Sequence, residues 1–432
     1  MCGVAGFLTK PNKDSSFDYI QILKKMSDVI IHRGPDDSGK WFSKEDGIAL
    51  AHRRLSILDI SKAGHQPMES KTSRYVISYN GEVYNHLEIR KEIEELDNSI
   101  IWIGHSDTET ILAAFETFGI DKSLSKFTGM FAFAVWDKKN KILTLARDRV
   151  GEKPLYYGFQ KSCLGQSIIF GSELKALKQF PNFNSKVDRG SLNLYLKFGY
   201  IPNPYSIYEG IFSLEPGSFI EITADHKILK HSKYWDACKI IKKASKNRFS
   251  GSPEEAVKEL ENLAISTIKS QMISDVPLGA FLSGGIDSST IVSLMQSQSM
   301  TPIKTFTIGF NEKGFDEATY AKSIASHLGT DHTEMYVTAS DAMKVIPEMP
   351  SIFSEPFADP SQIPNYIVSK LASQQVKVSL SGDAGDELFA GYSRYSHVEN
   401  LWNKISFMPL SLRKKISSSI KSVVGSSLYA NH

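Results

Sequence analysis

The sequence predicts two domains of different class: an α+β layered domain first, then an α/β domain built on a doubly wound parallel sheet. Three observations lead there. A chain of 432 residues with 41% hydrophobic and 23% charged content has material for more than one core. Its first half alternates short β-type runs with turn residues, whereas from Pro253 onward strand and helix patterns follow one another repeatedly.

In the first half, Tyr75–Gly81, Met130–Trp136, Ile142–Ala146 and Ser167–Ser172 read as sheet strands. Apolar residues at helical spacing predict helices over Phe17–Ile31 and Asp107–Phe118, the second capped by Asp107 or Thr108. The last strands close near Pro216–Ile222 and Tyr234–Trp235. Lys239–Ser252 is basic, Ser-containing and without an apolar period, which marks a linker. Helix Glu254–Ser270, strand Pro277–Leu282, helix Ser288–Gln298, strand Ile303–Ile308 and helix Asp316–Leu328 then predict the parallel sheet. A further helix is expected over Leu401–Val424. The domain boundaries are therefore 1–235, linker 236–252 and 253–432.

Composition narrows the partners. Net charge is +2 with both signs interleaved, so no polyanion-binding surface and no nucleic acid partner is implied. No apolar run approaches the roughly 18 residues of a membrane span. Cys2, Cys163 and Cys238 are too few for a disulfide framework and lack metal-ligand spacing, which fits the cytoplasm. Homodimerisation is left open.

Cys2, in Met1-Cys-Gly-Val-Ala-Gly6, is the first candidate for chemistry. Removing Met1 would give its thiol an α-amino group on the same residue. Such an amine titrates at roughly 7.7–8.0, so it could take the thiol proton as attack begins. These six residues alone fit an ordinary terminal cysteine equally well. In the second half, Leu278-Gly-Ala-Phe-Leu-Ser-Gly-Gly-Ile-Asp-Ser-Ser289 runs from a strand through two glycines into a helix, a turn that cradles phosphate with backbone N–H groups and a helix N-terminus. No Gly-Lys-Ser/Thr follows, which suggests pyrophosphate handled by backbone and Mg²⁺. A second loop, Val378-Ser-Leu-Ser-Gly-Asp-Ala-Gly-Asp-Glu-Leu388, bunches Asp383, Asp386 and Glu387. Alone it reads as a solvated turn; with Asp287 it offers hard oxygen ligands for Mg²⁺ at the carboxyl ends of the strands.

Together with His32-Arg-Gly-Pro-Asp36, His52-Arg-Arg-Leu-Ser-Ile57, Tyr79-Asn-Gly-Glu-Val-Tyr-Asn85, Gly129-Met-Phe-Ala-Phe133, Ala146-Arg-Asp148 and Ser283-Gly-Gly-Ile-Asp-Ser288, these features resemble the glutamine-hydrolysing asparagine synthetase family along the whole chain. The resemblance implies an N-terminal-nucleophile αββα sandwich, a class II glutamine amidotransferase, followed by an ATP-pyrophosphatase synthetase domain. It implies Cys2 as nucleophile and Asn80 with the Gly81 N–H as oxyanion hole. Glutamine would be held by Arg54, Leu55, Ser56, Ile57, Leu58, Asn80, Gly81, Glu82 and Asp107. Physically, Arg54 offers a fork for the α-carboxylate, and Glu82 and Asp107 can accept from the α-ammonium; Asn80-Gly81 in isolation reads as a hairpin turn. His32 and His52 read as structural, since the terminal amine supplies the base.

In the synthetase half, the resemblance implies ATP against Leu282, Ser283, Gly284, Gly285, Asp287, Ser288, Ile308, Gly309, Ser381 and Gly382, with Mg²⁺ on Asp287 and Asp386 and a catalytic role for Asp383, where some relatives carry Glu. The implied sequence of reactions is glutamine hydrolysis at Cys2, activation of aspartate as an acyl-adenylate with release of pyrophosphate, and displacement of AMP by ammonia delivered through a tunnel. A relative that amidates another carboxylate, such as a sugar acid of surface polysaccharide, and a remnant with glutaminase or binding activity only, are the alternatives. The resemblance also leads to the expectation of a further helical segment with a catalytic Lys beyond His432, and so of an incomplete synthetase half with part of its helical packing missing.

Overall fold

A computed structural model describes residues 1–10, 18–162, 165–311 and 316–424. Among the described residues, the first 235 positions hold twelve strands: β1 Gly3–Leu8, β2 Asp37–Ser43, β3 Ile48–Arg54, β4 Met68–Glu69, β5 Tyr75–Val83, β6 Gly129–Asp137, β7 Ile142–Arg147, β8 Tyr156–Ser162, β9 Gly165–Gly171, β10 Ile211–Ser213, β11 Ser218–Thr223 and β12 Ile228–Lys233. They form two six-stranded antiparallel sheets, ordered β10-β8-β9-β1-β3-β2 and β12-β11-β7-β6-β5-β4.

Helices α1 Tyr19–Asp28, α2 His86–Leu96, α3 Asp107–Phe118, α4 Ile120–Lys126, α5 Leu174–Leu177 and α6 Arg189–Phe198 accompany them. Period-two alternation sorts the strands into layers. Ala132, Ala134 and Trp136 of β6 turn toward Val4, Leu8 and Phe170 of the facing sheet, whereas Phe131, Phe133 and Val135 pack with Ile111 and Phe115 of α3. On the opposite outer face, Ala5 and Phe7 pack with Leu23 and Met26 of α1. The order is helix, sheet, sheet, helix: the αββα sandwich.

Five further segments run from the sandwich into the second domain: α7 Ala237–Lys246, α8 Pro253–Gln271, α9 Ile286–Ser297, α10 Ala318–Leu328 and α11 Ala339–Val345. They are followed by α12 Met349–Ile352, α13 Gln362–Ala372, α14 Gly385–Phe389, α15 Ser393–Ile405 and α16 Leu410–Val424. Strands β13 Leu278–Phe281, β14 Lys304–Phe310, β15 Asp331–Val337 and β16 Val378–Leu380 form a parallel sheet in the order β15-β14-β13-β16. That order grows outward in both directions from β13, the doubly wound arrangement, and it sets the loops after β13 and β16 side by side.

Three expectations need correction. The supposed linker contains α7: Ala237, Ile240, Ile241 and Ala244 keep a helical period, and Asp236 caps it by accepting the Lys239 N–H at 3.1 Å. The helix expected over Leu401–Val424 is two helices, interrupted where Pro409 lacks the N–H a continuous helix needs. Helix α3 is capped by Ser106, whose hydroxyl accepts the Glu109 N–H, rather than by Asp107 or Thr108. Cys163 lies outside the described residues. Among the described residues, no helix is long and apolar enough to cross a membrane.

Candidate active sites

Pairing of β1 between β9 and β3 fixes the chain terminus, so Cys2 emerges beside the end of β3. Its Sγ accepts the Leu55 N–H at 3.4 Å and lies 3.7 Å from the Leu55 carbonyl. Arg33 Nε donates to the Cys2 carbonyl at 3.0 Å, and Arg33 and His32 both bind Glu173, at 2.7 and 2.9 Å. His32 therefore serves an ion-pair cluster behind the nucleophile. His52 is buried and its Nε2 sits 2.9 Å from the Tyr79 carbonyl. Burial lowers its pKa to about 4, which leaves it neutral.

A cavity of about 60 Å³ opens at Cys2 and is walled by Arg54, Leu55, Ile57, Leu58, Asn80, Gly81, Glu82 and Asp107. Ser56 is not in that wall; its N–H donates to Asp36 Oδ2 at 2.9 Å. Asn80 and Gly81 lie within β5 rather than at a hairpin tip. Gly81 has φ +155°, and a Cβ there would lie 2.2 Å from the Met130 carbonyl, so no larger residue fits. The Asn80 side chain is buried, yet neither its Oδ1 nor its Nδ2 has a partner. An orphaned amide is costly unless something arrives to use it, which suits a donor awaiting an oxyanion.

The two acids of the cavity sit in dry surroundings. Asp107 accepts the Tyr79 hydroxyl at 2.6 Å and the Val83 N–H at 2.9 Å, and burial still raises its pKa. Glu82 rises to about 7, through burial first and the nearby Asp107 charge second. A ligand bringing an ammonium would relieve both. Arg54 donates through Nη1 to the Ser61 carbonyl at 3.0 Å and through Nη2 to the Leu58 carbonyl at 3.4 Å, so its fork braces the loop that walls the cavity. Burial raises the Cys2 thiol. The α-amine of Met1 falls to about 6, through burial and the neighbouring Arg33 and Lys153 charges.

Sequence reasoning missed Tyr79, Gln66 and Lys153. Lys153 is buried in the same wall, with Nζ 2.9 Å from Met1 Sδ. Its loop is wound round the buried Asp148 carboxylate, which accepts the N–H groups of Gly151, Glu152 and Lys153 at 2.6, 2.9 and 2.9 Å. The Arg147-Asp148 pair was visible in the sequence; the residue it positions was not.

The second site is a cavity of about 860 Å³ at the carboxyl ends of β13, β14 and β16. It gathers Leu282, Ser283, Gly285, Asp287, Ser288, Ile308, Ser381, Gly382, Asp383 and Asp386. Two expected members fall elsewhere. Gly284, at φ +84°, backs against Tyr320 and lines a neighbouring cleft, and Gly309 packs against Tyr336 and Asp316. Ser283 and Ser288 hold the loop through Oγ atoms 3.0 Å apart, and α9 begins at Gly285 without a side-chain cap, leaving its first N–H groups for an anion. The two loops touch: a Cβ on Gly385 would lie 2.4 Å from Asp287 Oδ2. Asp383 accepts the Ser381 hydroxyl at 3.0 Å. Asp287 and Asp386 suit a Mg²⁺ that draws its other oxygens from phosphates and water; no cluster of three or more His, Cys, Asp or Glu side chains able to hold a metal occurs among the described residues.

The αββα sandwich with Cys2 at its edge, joined to a parallel sheet with a glycine-rich strand–helix loop, defines a two-domain protein with a buried thiol site in one half and an open cavity at the strand ends of the other. Residues 1–235 match the family described as glutamine amidotransferase domain, and residues 259–430 match the asparagine synthase family. The chain is 35% identical over 426 residues to asparagine synthetase [glutamine-hydrolyzing] 1 of Bacillus subtilis, covering 98% of this chain and 62% of that protein. It is 36% identical over 412 residues to a putative asparagine synthetase 2 of Methanocaldococcus jannaschii, covering 91% and 76%. A putative asparagine synthetase of Mycobacterium bovis is 33% identical over 435 residues, covering 96% and 64%. The chain thus spans about two thirds of the length of these relatives, and it belongs to the glutamine-hydrolysing asparagine synthetase family.

Proposed function

We propose that the chain hydrolyses glutamine at Cys2 and uses the ammonia to convert aspartate to asparagine at the expense of ATP. The observation that carries the reading is the cavity in which a thiol, an unpartnered Asn80 amide and the Gly81 backbone meet Glu82 and Asp107. Once Met1 is removed, the Cys2 amine inherits a buried position beside Arg33 and Lys153. Both influences lower an amine, which favours its acting as the base, and burial keeps the proton on the thiol until attack.

Sγ attacks the side-chain amide carbon of glutamine as its proton passes to the α-amine. Negative charge then develops on the amide oxygen, toward which Asn80 Nδ2 and the Gly81 N–H supply donors. The tetrahedral adduct collapses with the amine proton on the leaving nitrogen. Ammonia departs, and water releases glutamate from the Cys2 thioester. Arg54 and the Glu82–Asp107 pair recognise the α-carboxylate and α-ammonium.

In the second domain the α9 N-terminus with Ser283, Ser288 and Gly382 would hold the ATP phosphates. Asp287 and Asp386 would hold Mg²⁺, which when bound offsets phosphate charge. The aspartate carboxylate attacks the α-phosphorus, pyrophosphate leaves, and ammonia displaces AMP to give the amide. Asp383, at the rim of that cavity, is assigned to the acid substrate or its adenylate.

The test is one incubation with glutamine, aspartate and Mg·ATP in which glutamate, asparagine and pyrophosphate are quantified together. Glutamate is expected, with asparagine and pyrophosphate matched mole for mole; glutamate without pyrophosphate would leave the glutaminase reading standing and remove the synthetase one. Pyrophosphate formation that depends on a different carboxylate would replace aspartate as the substrate, and no glutamate would overturn the reading at Cys2.

A further inference from the structure

The loop that walls the glutamine cavity, residues 55–61, is gripped at two points by the other domain, and the chemistry above uses neither grip. At the first, Asp275 Oδ2 accepts the Asp59 N–H at 2.7 Å while the Asp275 N–H donates to the Ile57 carbonyl at 3.0 Å. The same oxygen lies 2.5 Å from His105 Nε2, and the His105 N–H donates to Asp59 Oδ2 at 2.9 Å. At the second, Lys377 Nζ donates to Asp36 Oδ2 at 2.8 Å, the same oxygen that takes the Ser56 N–H.

Asp275 lies just before β13, and Lys377 immediately before β16. These strands are parallel neighbours, Leu278 opposite Val378, and the Lys377 N–H donates to the Pro277 carbonyl at 3.0 Å. At their other ends they run straight into the loops that carry Ser283–Ser288 and Ser381–Asp386. Three residues separate Lys377 from Ser381 and seven, four of them in β13, separate Asp275 from Ser283, spans of roughly 13 Å and 26 Å at about 3.3 Å per residue. A hydrogen-bonded strand this short moves as a unit.

The receiving side has no slack. Arg54 donates to the carbonyls of Leu58, Asp59 and Ser61, so movement of Asp59 moves the guanidinium. Asp59 is 1% exposed and held in the left-handed region at φ +55°. A Cβ on Gly104 would lie 2.1 Å from Asp59 Oδ2, and one on Gly64 would lie 1.8 Å from Arg54 Nη2. His105 also continues into Ser106 and Asp107, so the Asp275 grip reaches both ends of the glutamine site.

We propose that Asp275 and Lys377 are positioning residues through which the nucleotide domain sets the Arg54–Leu58 wall, so that a ligand on the phosphate loops alters glutamine capture at Cys2. This rests on the reading of Cys2 as a glutaminase nucleophile. The test compares two reagents on the whole chain. A glutamine-shaped diazoketone alkylates Cys2 only after binding Arg54, whereas iodoacetamide needs only the thiol and its base.

Asp275→Asn and Lys377→Met should each slow alkylation by the diazoketone at sub-saturating concentration, Asp275→Asn by about tenfold, the scale of one charge-assisted hydrogen bond. The iodoacetamide rate should stay within about twofold. A non-hydrolysable ATP analogue with Mg²⁺ should change the diazoketone rate of the unmodified chain and leave that of the double variant unchanged. Equal diazoketone rates in all forms, equal slowing of both reagents, or an ATP-analogue effect that survives in the double variant would each overturn the proposal. Failure of the diazoketone to label the unmodified chain would instead overturn the glutaminase reading beneath it.

Discussion

The two halves of the chain solve the problem of a reactive site in opposite ways. Among the described residues, eleven of the twelve bulkiest fully buried side chains belong to the sandwich and one, Phe306, to the second domain. The Cys2 cavity is correspondingly small and dry, and burial has shifted Cys2, Glu82, Asp107 and Tyr79. The phosphate cavity is wide, Ser283 and Asp383 are exposed, and α8, α15 and α16 carry exposed Leu263, Trp402 and Ile416. A site that must perturb its own thiol needs a desolvated wall fixed in advance. One that receives a polyphosphate needs room and donors, since the ligand supplies the charge.

That contrast can be broken most severely at the nucleophile. Cys2→Ala is expected to lower glutamine hydrolysis by at least about a thousandfold while leaving nucleotide binding, measured by calorimetry, unchanged. Asn80→Ala should cost about 10²–10³ in kcat for glutamate release. Its melting temperature should hold or rise, because the amide removed has no partner in the folded chain. A loss of stability equal to the loss of rate would show that Asn80 is a structural residue.

Packing gives the next contrast. Trp136→Ala, between the two sheets, should destabilise the sandwich by roughly 3–5 kcal/mol in urea. Trp402→Ala, 52% exposed on α15, should cost below about 1 kcal/mol by the same measurement. In the strand-end cavity, Asp386→Asn should weaken Mg²⁺-dependent pyrophosphate exchange by about tenfold or more and spare glutamine hydrolysis measured without nucleotide.

The smallest effect concerns pH. His52 has a folded pKa of about 4 against 6.5 for a free histidine, so below 6.5 the unfolded chain takes up the proton first. Its share of the sandwich's stability is intact above about pH 6.5 and is lost as pH falls toward 4. A urea midpoint that drops over this interval, and drops less in His52→Gln, is expected.

Much of this division was legible in the sequence. Strand β6 announces itself because both of its faces are dry, whereas Cys2 and Asn80 stand out only through motifs shared with the family, and Asp107, which by itself reads as a helix cap, only through that resemblance. What escaped depends on distant parts of the chain. Lys153 reaches the cavity on a loop that Asp148 winds, and Ser56, whose N–H Asp36 accepts, lies outside the cavity wall. Gly284 looks like a phosphate-loop glycine but makes room for Tyr320, and Gly309, expected against ATP, makes room for Tyr336. Helix α7 was obscured by its lysines, which mask a period of four apolar positions that nothing buries.

The most direct test of the central claim is intact-protein and peptide mass spectrometry of the chain quenched during glutamine turnover. The account predicts a chain lacking Met1 with one γ-glutamyl group, on Cys2. Retained Met1 together with an unmodified Cys2 during turnover, or a glutamyl group on another residue, would contradict it.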